Sequence, residues 1–145
     1  MKTNVISFFL GLWLCLSGSM YAQTVAESQA TEATGQYVYF KSGSAELSPE
    51  AKKTIDGVMA SVPAGTKISV KIYGHTDDVG IDEKNIELSR KRCYAAWEYV
   101  MSKRGGDVGK GDITMNGEYL PKVKNENDKN RATNRRVAVV VKPFN

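Results

Sequence analysis

The sequence predicts an α+β domain, a β-α-β-α-β-β sandwich in which two main helices pack on a mixed four-stranded sheet. Three observations predict it. Residues 67–73, KISVKIY, alternate apolar and amphipathic side chains with the period of a half-buried strand. Two segments repeat apolar residues at helical spacing, one through Ala51, Ile55, Val58, Met59 and Val62, the other through Leu88, Cys93, Ala96 and Val100. Residues 137–141 form a continuous apolar run suited to the middle of a sheet.

The elements follow in order. Tyr37-Val38-Tyr39-Phe40 is a compact aromatic and β-branched strand, closed by Lys41-Ser42-Gly43-Ser44. Ser48-Pro49-Glu50 then starts a helix, with a capping hydroxyl, a proline at the first helical position and an acid in the first turn. Pro63-Ala64-Gly65 ends it. The strand at 67–73 runs into Gly74-His75-Thr76-Asp77-Asp78-Val79-Gly80, so Asp77 stands just past a strand end, in a loop on a rigid base. A second helix is expected over residues 85–103, with Arg90, Lys91, Glu98 and Lys103 outward, and Gly105-Gly106 stops it. Ile113-Thr114-Met115 is a third strand, and a short helical turn is expected near Arg131 before the last strand.

Ahead of this domain, residues 1–22 have the pattern of a secretory signal: Lys2 as the lone charge, an apolar run from Ile6 to Leu16, then small and polar residues leading to cleavage after Ala22. The apolar run is well short of the roughly 18–20 residues that span a bilayer. Retention as an anchor and lipidation at Cys15 are the competing expectations, the latter opposed by the bulky Leu12-Trp13-Leu14. Residues 23–36, polar and rich in Ala, Thr, Glu and Gln, read as a linker, so the folded domain is expected over 37–145. Cleavage removes Lys2, turning 20 bases against 16 acids into 19 against 16, a net charge of +3 that is too small to imply a nucleic-acid partner. It also leaves Cys93 as a lone cysteine, which excludes an intrachain disulfide.

The chemistry concentrates in residues 74–93. Asp77 and Arg92 are an acid and a base able to hold a zwitterion, the carboxylate on an ammonium and the guanidinium on a carboxylate. The plainer alternative is that Asp77 caps a turn and Arg92 pairs with Glu87 or Glu98 on its own helix. No nucleophile and base stand at recognisable spacing, His75 has no second soft metal ligand beside it, and no cofactor is implied. The basic stretch from Lys122 to Arg136 is interleaved with Glu126 and Asp128 and has no aromatic residue for stacking on bases. An enzyme and a nucleic-acid binder are therefore both disfavoured.

These motifs, taken in order, resemble the OmpA-like periplasmic domain, a family that includes peptidoglycan-associated lipoproteins and the flagellar stator protein MotB. The resemblance rests on Tyr39-Phe40 with Leu47, Gly74-His75-Thr76-Asp77 with Gly80, and Asn85, Leu88-Ser89 and Arg92. It continues through Gly117 with Pro121, Arg131-Ala132, and Asn134-Arg135-Arg136-Val137. It implies non-covalent binding of peptidoglycan through the diaminopimelate of the stem peptide, in the periplasm and associated with the outer membrane. Outer-membrane or other envelope proteins are the further partners implied. By the same resemblance Asp77 takes the ammonium and Arg92 the carboxylate of that diamino acid, Thr76 and Asn85 shape the loop and contact the ligand, and Arg135 lies near the pocket. Cys93, Ala96 and Asn130 depart from the family's usual alanine, valine and glycine. Replacing Asp77 or Arg92 by alanine is expected to remove binding and leave the fold intact. An exported protein-interaction domain of the same fold, without wall binding, is the alternative.

Overall fold

The computed structural model describes residue 20 and residues 22–144; the expected signal segment, with Cys15, lies almost wholly outside the described residues. The chain divides into two compact units, Met1–Thr31 and Glu32–Asn145. Residues 22–32 are helical (α1), where the sequence suggested a linker without an element of its own. Its alanines, glutamates and glutamines are good helix formers even without an apolar stripe. The second unit contains β1 (Gln36–Tyr39), α2 (Pro49–Ala60), β2 (Ile68–His75), α3 (Asp82–Arg104), β3 (Val108–Gly117), α4 (Asp128–Asn134) and β4 (Arg136–Pro143). The expected α+β class and order are the observed ones.

The sheet order is β1-β4-β2-β3. β4 runs antiparallel to both β1 and β2, whereas β2 and β3 are parallel and need the crossover that α3 supplies. The apolar run of β4 is therefore central, as its composition predicts. One sheet face, with Val38, Ile68, Val70, Ile72, Val137 and Val139, packs against Ile55 and Met59 of α2 and Cys93, Ala96 and Val100 of α3. The opposite face carries Tyr37, Tyr73, Ala138 and Val140.

Local chemistry accounts for the boundaries. Ser48 Oγ accepts the Ala51 amide at 3.1 Å and Pro49 opens α2, as expected. α3 starts at Asp82, ahead of the expected Asn85; its first turn has no side-chain cap, and Asp82 and Glu83 face the positive end of the helix dipole instead. β3 is ten residues long where three were expected. Its first half, Val108-Gly109-Lys110-Gly111-Asp112, is glycine-rich and polar because it lies on a sheet edge beneath an aromatic ring: a Cβ on Gly111 would stand 2.2 Å from the Trp97 ring.

Candidate functional site

The site residues gather at the end of the sheet where β2 stops. Gly74 lets β2 approach α3 closely, since a Cβ there would meet Cys93 Sγ at 2.4 Å and the Ser89 carbonyl at 2.7 Å. His75 is the last residue of β2 and is fully buried, not a loop residue. Thr76 follows, its amide bonded to the Gly117 carbonyl at 2.8 Å, and its buried Oγ1 has no protein partner. Asp77 is 4% exposed. Its Oδ2 accepts from Arg135 Nη1 at 3.0 Å and its Oδ1 from the Val79 amide at 3.3 Å.

Arg92 reaches the same place from α3. It is completely buried, and its guanidinium donates to three backbone carbonyls: Nε to Ser44 at 2.9 Å, Nη1 to His75 at 3.0 Å and Nη2 to Lys41 at 3.1 Å. The Phe40 ring lies beneath it, 5.1 Å from the guanidinium carbon. Burial pushes its pKa down to about 10, opposed by the negative charge of Asp77 and reinforced by the positive charge of Arg135. Arg92 thus remains a cation at neutral pH, and it is not a surface partner on its own helix: Glu87 is taken by Arg90, in two bonds of 2.7 and 2.8 Å. The expectation that Arg92→Ala leaves the fold intact is corrected by this geometry. Alanine there strands three carbonyls and empties a buried volume between the first loop and the sheet.

Asn85 is buried on the first turns of α3, and its Nδ2 donates to Glu118. It lines an open groove of about 530 Å³ bounded by Gly43 and Ala45, the Val79–Gly80 turn and Leu88 of α3; Asp77 and Arg92 are not among its lining residues. The five expected site residues are therefore split. Thr76, Asp77 and Arg92 are buried and the half-buried Arg135 closes on Asp77, while Asn85 stands in the groove beside them.

Several contacts around the candidate site went unread in the sequence. Arg131 on α4 holds Asp78 at 3.0 Å, so Arg131 and Arg135, one helical turn apart, take two successive aspartates. That i, i+4 spacing opposite Asp77-Asp78 was the available signal. Asn134 is fully buried and orders the preceding loop, accepting from the amides of Lys122 and Val123 and donating to the carbonyl of Val123 and Oδ1 of Asn125. His75 Nε2 lies 2.9 Å from Glu32 Oε1, and Arg136 Nη2 lies 3.2 Å from the same oxygen. Nothing local in the sequence marks that contact.

Comparison with known proteins agrees with the fold and the motifs. The chain is 30% identical over 139 residues to the YfiB protein of Escherichia coli, covering 86% of this chain and 84% of that one. It is 31% identical over 99 residues to the peptidoglycan-associated lipoprotein of Pseudomonas aeruginosa, covering 68% of this chain but only 58% of the relative. Among solved structures, the C-terminal domain of Helicobacter pylori MotB matches with a TM-score of 0.59 at 17% identity, covering 75% of this chain and 85% of that one. The peptidoglycan-associated lipoprotein of Burkholderia pseudomallei matches with the same TM-score at 22% identity, covering 77% and 93%. With the OmpA family model matching residues 39–135, from the end of β1 through the Arg135 that holds Asp77, the chain belongs to the OmpA family.

Proposed function

We propose that the domain binds peptidoglycan non-covalently through the diaminopimelate of the stem peptide, fastening a component of the cell envelope to the wall. The observation that carries this reading is the meeting of the buried Asp77 and Arg92 with the half-buried Arg135, a negative charge between two positive ones. A zwitterion fits such an array, because desolvating either of its charges is costly unless each meets an opposite partner. The ammonium takes the lone pairs that Asp77 has left beside Arg135 and Val79. The carboxylate takes N–H groups of Arg92, which spends three of its five on carbonyls. Thr76 Oγ1 supports a further contact, being buried and without a protein partner.

The domain is a binding module and not an enzyme. Ser89 Oγ donates to the Ile86 carbonyl at 2.8 Å, and burial pushes the Cys93 thiol up to about 12, which suits packing and not nucleophilic attack. The relative named as peptidoglycan-associated supports a place in the cell envelope, reached through a signal at residues 1–22 and a connecting segment at 23–36. No helix among the described residues is long and apolar enough to cross a membrane.

The test is retention on purified sacculi with free diaminopimelate as competitor. Competition by the free diamino acid, and loss of retention in Asp77→Asn, are the expected results; equal retention of Asp77→Asn and wild type overturns the assignment. One observation favours a second reading, an interaction domain that keeps the fold without wall binding: Asp77 already pairs with Arg135, and Arg92 already has carbonyl partners. Under that reading sacculi retain neither protein.

A further inference from the structure

Glu32 is the first residue of the second compact unit, and it is 6% exposed. Its Oε1 meets two bases from different strands: His75, at the end of β2, and Arg136, at the start of β4. Both are buried, at 0% and 4% exposure. These two residues are the immediate neighbours of the site. His75 stands two positions before Asp77, and Arg136 stands one position after Arg135, which holds Asp77. The His75 carbonyl also accepts from Arg92 Nη1, so the strand end gripped at its ring by Glu32 is gripped at its backbone by the site arginine.

We propose that Glu32 is a positioning residue for the diaminopimelate site: by tying His75 to Arg136 on the sheet face away from α2 and α3, it sets the separation and orientation of Asp77 and Arg135 on the two strand ends. The proposal rests on the wall-binding reading for its ligand, and on geometry alone for the positioning.

The electrostatics are those of one carboxylate shared between a guanidinium and an imidazole. Burial raises the Glu32 carboxyl, but the hydrogen bond and charge of His75 and the charge of Arg136 outweigh it and hold the group below its usual range. Burial lowers His75, with the Glu32 hydrogen bond opposing. Among the described residues, no other acid bonds either base; Arg136 otherwise bonds the Leu120 carbonyl at 3.4 Å and lies 5.7 Å from the centre of the Tyr37 ring, and its Nε and Nη1 have no hydrogen-bond partner. Two basic groups are thus taken out of water around one carboxylate, and loss of that carboxylate leaves two strand ends without their tie. A positioning contact of this kind acts on the ligand through residues it does not share with it.

The experiment uses the full chain and Glu32→Gln, which keeps the side-chain volume. Amide exchange is followed at Thr76, whose N–H donates to Gly117, and at Lys52, whose N–H donates to Ser48 on α2 far from the clasp. Exchange at Thr76 is expected to rise about tenfold relative to Lys52, and affinity for free diaminopimelate to fall about fivefold or more. Equal acceleration at both amides marks general destabilisation and overturns the proposal, as does unchanged Thr76 protection. If the wild-type chain does not bind diaminopimelate, the functional reading fails, while the Thr76 to Lys52 ratio still decides whether Glu32 positions the loop.

Discussion

α3 carries two arginines that turn inward, Arg92 fully buried and Arg104 partly buried, and they are satisfied to different degrees. Arg104, at its last turn, spends its five N–H groups on five acceptors: the carbonyls of Met59, Val62, Pro63 and Thr66, and Asp107. Those carbonyls belong to the end of α2 and the turn after it, groups a helix leaves unsatisfied, so Arg104 is a staple between α2 and α3. Arg92 donates to three carbonyls, has an aromatic ring below it, and no carboxylate bonds it directly although Asp77 lies close enough to act on its charge. The staple is saturated; the site arginine is fixed in place with donors to spare. On the proposed reading, that difference assigns Arg104 to the fold and Arg92 to the ligand.

The largest expected effect is on the saturated side. Arg104→Ala should lower the urea midpoint more than any of the changes below, because it strands Asp107 and several carbonyls at once, while sacculus retention of the folded fraction stays at the wild-type level. Arg92→Lys keeps the charge but loses the planar fork, and should cost about 2 kcal/mol of stability together with all competition by diaminopimelate. Wild-type retention of that variant breaks the comparison, since it makes both arginines staples. Asp77→Asn should cost about 1 kcal/mol through the weakened Arg135 contact, with a binding loss of about 2–5 kcal/mol by titration calorimetry with diaminopimelate. Cys93→Ala comes last, at about 1 kcal/mol or less of stability for one buried atom with unchanged binding, and it tests whether the packing between Gly74 and α3 tunes the site.

The difference between the two arginines was only partly legible in the chain. Spacing placed both helices, the capping of α2 and the central position of β4, because these depend on neighbours in sequence. The burial of Arg92 had a signal: Asn85, Ser89, Arg92, Ala96 and Val100 recur at helical spacing on one face, and all are buried. Between Lys91 and Cys93, in a basic run, Arg92 was passed over, and the face was read through Leu88, Cys93, Ala96 and Val100, of which Leu88 is only half-buried beside the groove. The polar first half of β3 hid a strand, since its pattern is set by Trp97 and a sheet edge and not by its own sequence. The tie from Glu32 to His75 and Arg136 joins positions 32, 75 and 136, and only the folded sheet brings them together.

The register of β1 has a mechanical consequence. β1 runs in the same direction as β2, each being antiparallel to β4; its Gln36 end lies level with Ile72, and its Tyr39 end lies beside Arg136, where the Asp77 loop stands. A pull on the preceding chain, directed away from a domain held at that loop, meets Glu32 first, whose carboxylate holds His75 and Arg136, and, once that clasp gives way, loads β1 along its length. Its four residue pairs with β4 bear such a force together, in shear, whereas a sideways pull would peel them one after another. Under the proposed wall binding, resistance to detachment depends on the direction of the load as well as on ligand affinity, and the shortest strand of the sheet is oriented to meet force along its strong axis.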